Sequence, residues 1–279
     1  VFFWQLSSEQ NNSYAFLNLG NLYFNGIGVE KDYKKARDYF KSSADLNNSM
    51  ALNYLGKIYC DGLGIYKDYD KAREYFIMSA ELNNSTGNLN LGYLYLYGLG
   101  VEQDYDIARG FFEISAEQDN NNAYFYLGYM YLNGIGVETD LNKAKEHFEC
   151  SANLNNSCAQ IHIGLMYYDG VVVEQNYSKS VEYILKSANQ NDPYAFFILS
   201  IFYFEGLAVK KDYNEAEKYL QKAEKENNPT ILYFIGLLYY IGLYVQQDYE
   251  KAKYYFLQSE KLDNSDSQVM LGEIYYNQK

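Results

Sequence analysis

The chain has two histidines, His147 and His162, and three cysteines, Cys60, Cys150 and Cys158. Metal centres and nucleophilic sites are commonly built from such side chains, but these are badly placed for either. Zinc needs several ligands in short paired spacings, and neither HExxH nor CxxC occurs. The two histidines fall on different predicted helices and read as ordinary helix-surface residues. Glycine pairs such as Gly26-Ile27-Gly28 follow helical rather than strand patterns, and no Gly-Lys-Ser/Thr is present, so they are not phosphate loops. Carboxylates are plentiful, but those that recur have a capping role, and no acid–base pair stands out. The expectation is no catalytic residue, no metal and no cofactor. The chemistry on offer is apolar and aromatic recognition, from 34 tyrosines and 16 phenylalanines.

Those side chains are set out on a period of 36 residues. Stepping from Gly20 gives Gly56, Gly92, Gly128, Gly164, Ser200, Gly236 and Gly272. Stepping from Tyr23 gives tyrosine each time, through Tyr59, Tyr95, Tyr131, Tyr167, Tyr203, Tyr239 and Tyr275. Alanine recurs from Ala36 to Ala252, with Ser180 filling one place. A fixed period of this size marks a stacked array with one core that grows by repetition, rather than two globular domains.

Within one repeat, Ala15, Leu19, Leu22 and Tyr23 form a single apolar stripe, which predicts a helix A over 14–25. Gly20 flanks that stripe. Glycine costs a helix about 1 kcal/mol against alanine, so its recurrence points to close approach of the partner helix. Gly26 suits the left-handed position that ends helix A, and Val29 and its counterparts plug the loop into the core. Asp32 caps helix B, as do its equivalents, with Asn176 once in that place. Helix B carries Tyr33, Ala36, Phe40 and Ala44. The linker Asn47-Asn48-Ser49 ends helix B and caps the next helix A, where Pro193 and Pro229 are tolerated at the start. On this phase, residues 1–12 form the tail of a preceding helix B, residues 13–264 seven repeats, and residues 265–279 helix A of an incomplete eighth. A piece of a longer array is expected.

The net charge of −13 argues against nucleic acid and anionic membranes as partners, since both demand clustered Lys and Arg. There is no apolar run long enough for a transmembrane helix. Three cysteines are too few for a disulfide scaffold. A cytoplasmic location is expected; a signal peptide preceding Val1 would instead imply the endoplasmic reticulum lumen or secretion, where the Asn-x-Ser/Thr sites would matter.

The pattern Ala-x-x-x-Leu-Gly-x-x-Tyr-x-x-Gly-x-Gly-Val-x-x-Asp-Tyr-x-Lys-Ala-x-x-Tyr-Phe is almost complete in residues 15–40, 51–76 and 123–148. It resembles the Sel-one-like repeat, a relative of the tetratricopeptide repeat. The resemblance implies an all-α fold, an α-solenoid of antiparallel helix pairs winding into a right-handed superhelix. It further implies adaptor and scaffold roles, with helix A lining the concave surface and no shared catalytic residues. A cysteine-rich branch of the family has disulfides with the spacing of Cys150 and Cys158, but two positions later, at the places of Ala152 and Gln160; pairing here is left open. The sequence departs from the pattern at Ser200, at Val172, Ala208 and Tyr244 in place of the second loop glycine, and at Glu224 and Glu260 in place of alanine. Different packing angles are expected in the last repeats.

The side of helix A opposite its core stripe reads Asn21, Lys57, Tyr93, Tyr129, Leu165, Ile201, Leu237 and Glu273. Five consecutive repeats are apolar or aromatic there. Tyr97, Tyr126, Ile198, Phe234 and Ile241 fall on the same half of the helix. An exposed apolar strip of this kind marks an interaction surface, so these ten central residues are the candidate contacts for a protein partner or larger complex. Residues of the neighbouring position, such as Leu17, Phe125 and Phe197, could instead be buried between adjacent A helices, and a tightly wound array could close over its own groove. Alternatives to an adaptor are a structural component of a large assembly and, with less to support it, an enzyme.

Overall fold

The structure is a computed structural model and describes Trp4 and residues 12–277; the expected helix tail over residues 1–12 lies outside the described residues apart from Trp4 and Asn12. The described residues form fifteen α-helices and no strand. The A helices are α1 (Ser13–Asn25), α3 (Ser49–Asp61), α5 (Ser85–Tyr97), α7 (Asn121–Asn133), α9 (Ser157–Asp169), α11 (Pro193–Glu205), α13 (Pro229–Ile241) and α15 (Ser265–Asn277). The B helices are α2 (Tyr33–Ala44), α4 (Tyr69–Glu81), α6 (Tyr105–Ala116), α8 (Leu141–Asn153), α10 (Tyr177–Ala188), α12 (Tyr213–Lys225) and α14 (Tyr249–Glu260). They divide into two compact units, one ending at Leu154 and the other beginning at Asn155. Each unit is a tandem of helix pairs, the α-solenoid arrangement expected.

The caps are formed by the residues that the sequence placed there. Asn48 accepts the backbone N–H groups of Met50 and Ala51, and Asp32 accepts that of Lys35. Such a side chain satisfies donors left free at a helix start, for about 1 kcal/mol each. Gly26 ends α1 at φ 73, donating to the Leu22 carbonyl. The loop is then closed by the Asp32 N–H on the Tyr23 carbonyl at 2.9 Å, a bond repeated through Asp248 on Tyr239 at 3.0 Å.

The recurring helix-A glycine has its predicted cause. A Cβ on Gly20 would lie 2.5 Å from the Phe40 ring, and one on Gly56 2.3 Å from the Phe76 ring. Gly92, Gly128 and Gly236 meet Phe112, Phe148 and Phe256 in the same way. These phenylalanines are buried, and Phe40, Phe76, Phe112 and Phe256 pack in core clusters with buried leucines. In the one repeat with Ser200, the residue aligned with Phe40 is Leu220, which ends short of a phenyl ring. Ser200 is buried and its hydroxyl donates to the Phe197 carbonyl.

The departures in the later loops do not change the backbone conformation. Val172, Ala208 and Tyr244 take φ 52, 55 and 64, the left-handed region used by Gly28, Gly64, Gly100 and Gly136. A non-glycine residue there costs roughly 1–2 kcal/mol, and for β-branched Val172 the conformation is an outlier. Tyr244 gains a compensating contact, stacking on Phe204 with centroids 5.2 Å apart and donating its hydroxyl to Glu205.

Two further repeated contacts tie the layers together. Buried Ser43 donates to the Ser13 carbonyl at 2.7 Å, and Ser79, Ser115, Ser151 and Ser259 do the same to Ser49, Ser85, Asn121 and Pro229. Toward the other end of helix A, Tyr23 stacks on Tyr39, and each later counterpart stacks on the aromatic ring aligned with Tyr39, through Tyr239 on Tyr255.

Candidate protein-binding face

The first unit holds four of the candidate residues. Tyr93 and Tyr97, one turn apart on α5, have ring centroids 4.5 Å apart and are 37% and 49% exposed. From α7, Tyr126 meets Tyr93 edge-on at 6.1 Å and stacks flat on Phe112 of α6 at 5.0 Å. Tyr129, half-buried, lies over Phe125 at 6.4 Å. The structure therefore gathers Tyr93, Tyr97, Tyr126 and Tyr129, with Phe125, into one aromatic patch. Partial burial pushes the Tyr97 phenol above its ordinary value, helped by the nearby Tyr93 and Tyr129 hydroxyls.

The second unit holds the other six. Phe234 is 37% and Ile241 62% exposed. Leu165, Ile198, Ile201 and Leu237 are half-buried, and Leu165 and Ile198 pack against the core of that unit. Phe234 stacks on Phe197 at 5.7 Å. Of the neighbouring position, Leu17, Asn53 and Ile161 are buried, while Leu89, Phe125, Phe197 and Tyr233 are half-buried. Most of that position is thus spent on packing between helices, as one of the two arrangements open from sequence requires.

The groups considered for chemistry have other surroundings. No cluster of His, Cys, Asp and Glu able to hold a metal occurs among the described residues. His147 is not a simple surface residue. It takes the place of the tyrosine in the repeated stack, flat against Tyr131 at 5.6 Å, and burial lowers its pKa. Burial also lowers the pKa of His162. Cys60, Cys150 and Cys158 are free thiols. No described helix is long and apolar enough to cross a membrane.

The charge on the A helices is a further feature of this face, and it is legible in the sequence helix by helix. Lys57 is the one cation on them among the described residues, against Asp61, Asp169, Glu205, Asp266 and Glu273. The other described Lys and Arg residues lie on B helices and loops.

The profile of the Sel1 repeat matches residues 13–48, 49–84, 85–120, 121–156, 159–192, 193–228 and 232–264. The chain belongs to the Sel1 repeat family. Among solved structures, this Sel1 repeat chain is similar to a protective antigen of uropathogenic Escherichia coli strains with an SLR fold. The two are 31% identical with a TM-score of 0.64, covering 98% of this chain and 59% of the antigen. A Sel1 repeat protein from Oxalobacter formigenes is also 31% identical, with a TM-score of 0.71, covering 77% of this chain and 89% of that one. An immunity protein from Pseudomonas aeruginosa shares the fold at 17% identity and a TM-score of 0.55, with 74% of this chain and 81% of that one covered. No curated protein matches the chain. Sel1 repeat arrays are scaffolds of a kind that binds proteins, and they are generally non-enzymatic.

Proposed function

We propose that this Sel1 repeat protein is an interaction scaffold that holds a protein partner along the outward side of its A helices, the side expected to be concave in this family. In the first unit the contacts are Tyr93, Tyr97, Tyr126 and Tyr129; in the second they are Leu165, Ile198, Ile201, Phe234, Leu237 and Ile241. The observation that carries the reading is that Tyr93, Tyr97, Phe234 and Ile241 stand exposed here among half-buried apolar neighbours, on helices whose opposite stripe is buried core. Aromatic side chains supply much contact area for little lost freedom and dominate interface energetics. Cysteine usage favours a reducing, cytoplasmic setting for this role; cell fractionation that finds the protein in a secretory compartment would refute that location.

The test places one charge in each unit, Tyr97→Glu and Ile241→Glu, at the positions 49% and 62% exposed. Partner capture by the full chain should fall at least about tenfold, the effect of losing one hot-spot contact, with an unchanged circular-dichroism spectrum. Capture at wild-type level by the folded double variant would show that the partner sits elsewhere.

A further inference from the structure

The A helices are short of positive charge in a way that the B helices are not. Lys57 is their one cation among the described residues. Asp61, Asp169 and Glu205 occupy the last residue of α3, α9 and α11. Helix carbonyls already present partial negative charge at that end. Tyr97 occupies the same last position on α5, next to Tyr93 and close to Tyr129.

Tyrosine faces carry negative charge density and attract ammonium and guanidinium groups. In five repeats a lysine of the chain itself lies over the tyrosine aligned with Tyr23. Lys35 sits 5.2 Å from the Tyr23 ring centre, Lys71 5.5 Å from Tyr59, and Lys143, Lys179 and Lys251 each 5.0 Å from Tyr131, Tyr167 and Tyr239. Among the described residues, no Lys or Arg takes that place over Tyr93, Tyr97 or Tyr129. The first unit therefore offers part-exposed tyrosine rings on A helices whose charged residues, among those described, are Lys57 and Asp61 alone, with Tyr97 at the partly negative end of α5 and the half-buried apolar surface of Phe125 beside it.

We propose that the Tyr93–Tyr97–Tyr129 cluster receives a Lys or Arg side chain from a partner segment in which that cation is flanked by apolar residues. The proposal rests on the scaffold reading above and specifies its partner. The cation sits against the tyrosine faces, and the flanking apolar residues cover the rest of the patch. An acidic segment is excluded by repulsion from a chain of net charge −13.

The test uses the full chain and three short fluorescein-labelled peptides of Leu, Phe and Ser with two central arginines, two glutamines or two glutamates. The arginine peptide should bind about tenfold more tightly than the glutamine peptide, and the glutamate peptide most weakly. Tyr93→Leu/Tyr97→Leu, which leaves the net charge unchanged, should weaken the arginine peptide about tenfold. Tyr66→Leu, at a loop tyrosine 94% exposed, should not. Arginine-peptide binding that ignores Tyr93→Leu/Tyr97→Leu would be general attraction to an acidic chain and would overturn the proposal. Equal binding of the glutamine peptide, still lost in Tyr93→Leu/Tyr97→Leu, would overturn the cation while leaving the face. Failure of every peptide at millimolar concentration overturns the proposal too, and the scaffold reading is then judged by the capture test alone. Tyrosine ring NMR signals of the wild type, shifting with the arginine peptide and not the glutamine one, check the result without any substitution.

Discussion

Replacing glycine by alanine inside a helix ordinarily stabilises it by about 1 kcal/mol, and at Gly56 the packing reverses the sign. An alanine Cβ there would stand 2.3 Å from one Phe76 ring atom and 2.6 Å from another, where carbon atoms pack best at about 3.5–4.0 Å. Phe76 is only 3% exposed, and its ring cannot swing clear in a close-packed interior. Overpacking of this kind costs about 1–3 kcal/mol. Taking the upper end and subtracting the propensity gain leaves Gly56→Ala destabilised by roughly 2 kcal/mol. Gly110, inside α6 with nothing within 4 Å of its would-be Cβ, is the control: Gly110→Ala should stabilise by about 1 kcal/mol. Gly164→Ala should cost less than Gly56→Ala, because the nearest atom is the end methyl of Ile184, which can rotate. Phe76→Leu should make Gly56→Ala tolerable, as Leu220 accompanies Ser200. Urea denaturation followed by circular dichroism measures each variant, and amide exchange in α3 and α4 catches local unravelling, to which stacked repeats are prone. If Gly56→Ala is as stable as wild type, or gains like Gly110→Ala, the close-approach reasoning fails.

Other contacts make narrower predictions. Ser259→Ala should cost about 1 kcal/mol by removing the buried hydroxyl's bond to the Pro229 carbonyl, whereas Ser187→Ala, whose hydroxyl has no partner among the described residues, should be near neutral in the same denaturation assay. Val172→Gly should raise the urea midpoint by the equivalent of about 1 kcal/mol, by relieving a β-branched residue at φ 52; a lower midpoint would mean that the loop is not strained. Burial lowers the pKa of His147 and His162 in the folded chain, so the unfolded chain binds more protons below the ordinary histidine value of 6.5. Stability should therefore fall as pH drops from about 6.5 through the folded values, and His147→Tyr, which restores the aromatic found in sister repeats, should flatten that fall in thermal melts at pH 5 and 8.

The parts of the fold legible in the sequence are those in which one residue type has one local reason to be there. Gly26 must adopt a left-handed backbone, Asp32 must receive N–H groups, and Gly20 must let a neighbour approach, so each announces itself by recurring. The Ser43 series recurs too, but its partner is a carbonyl 30 residues earlier, which no local rule supplies. The stack of Tyr23 on Tyr39 is likewise hidden, since both residues read as ordinary core aromatics until the helices are paired. At the candidate face, the sequence picks out the outward positions but not how much of each ring is left over. Tyr126 lends one face to Phe112 and Leu165 packs into the core, whereas Ile241 stands clear.

That division of labour within single side chains bears on how the face can bind. Tyr126 and its counterpart Tyr54 lie flat on Phe112 and Phe40, at 5.0 and 4.6 Å. Those phenylalanines are the ones that hold Gly92 and Gly20 in close approach. The orientation of the patch is therefore set by the contact that spaces the helices. A partner meeting Tyr93, Tyr97 and Tyr126 meets rings already held by one another and by the core, so little rotamer freedom remains to be lost on association. Variation at the outward positions leaves the Gly–Phe contact untouched, which is how the array can keep its spacing from repeat to repeat while the polar Asn21 and Lys57 give way to Tyr93 and Tyr129 on the same side of helix A.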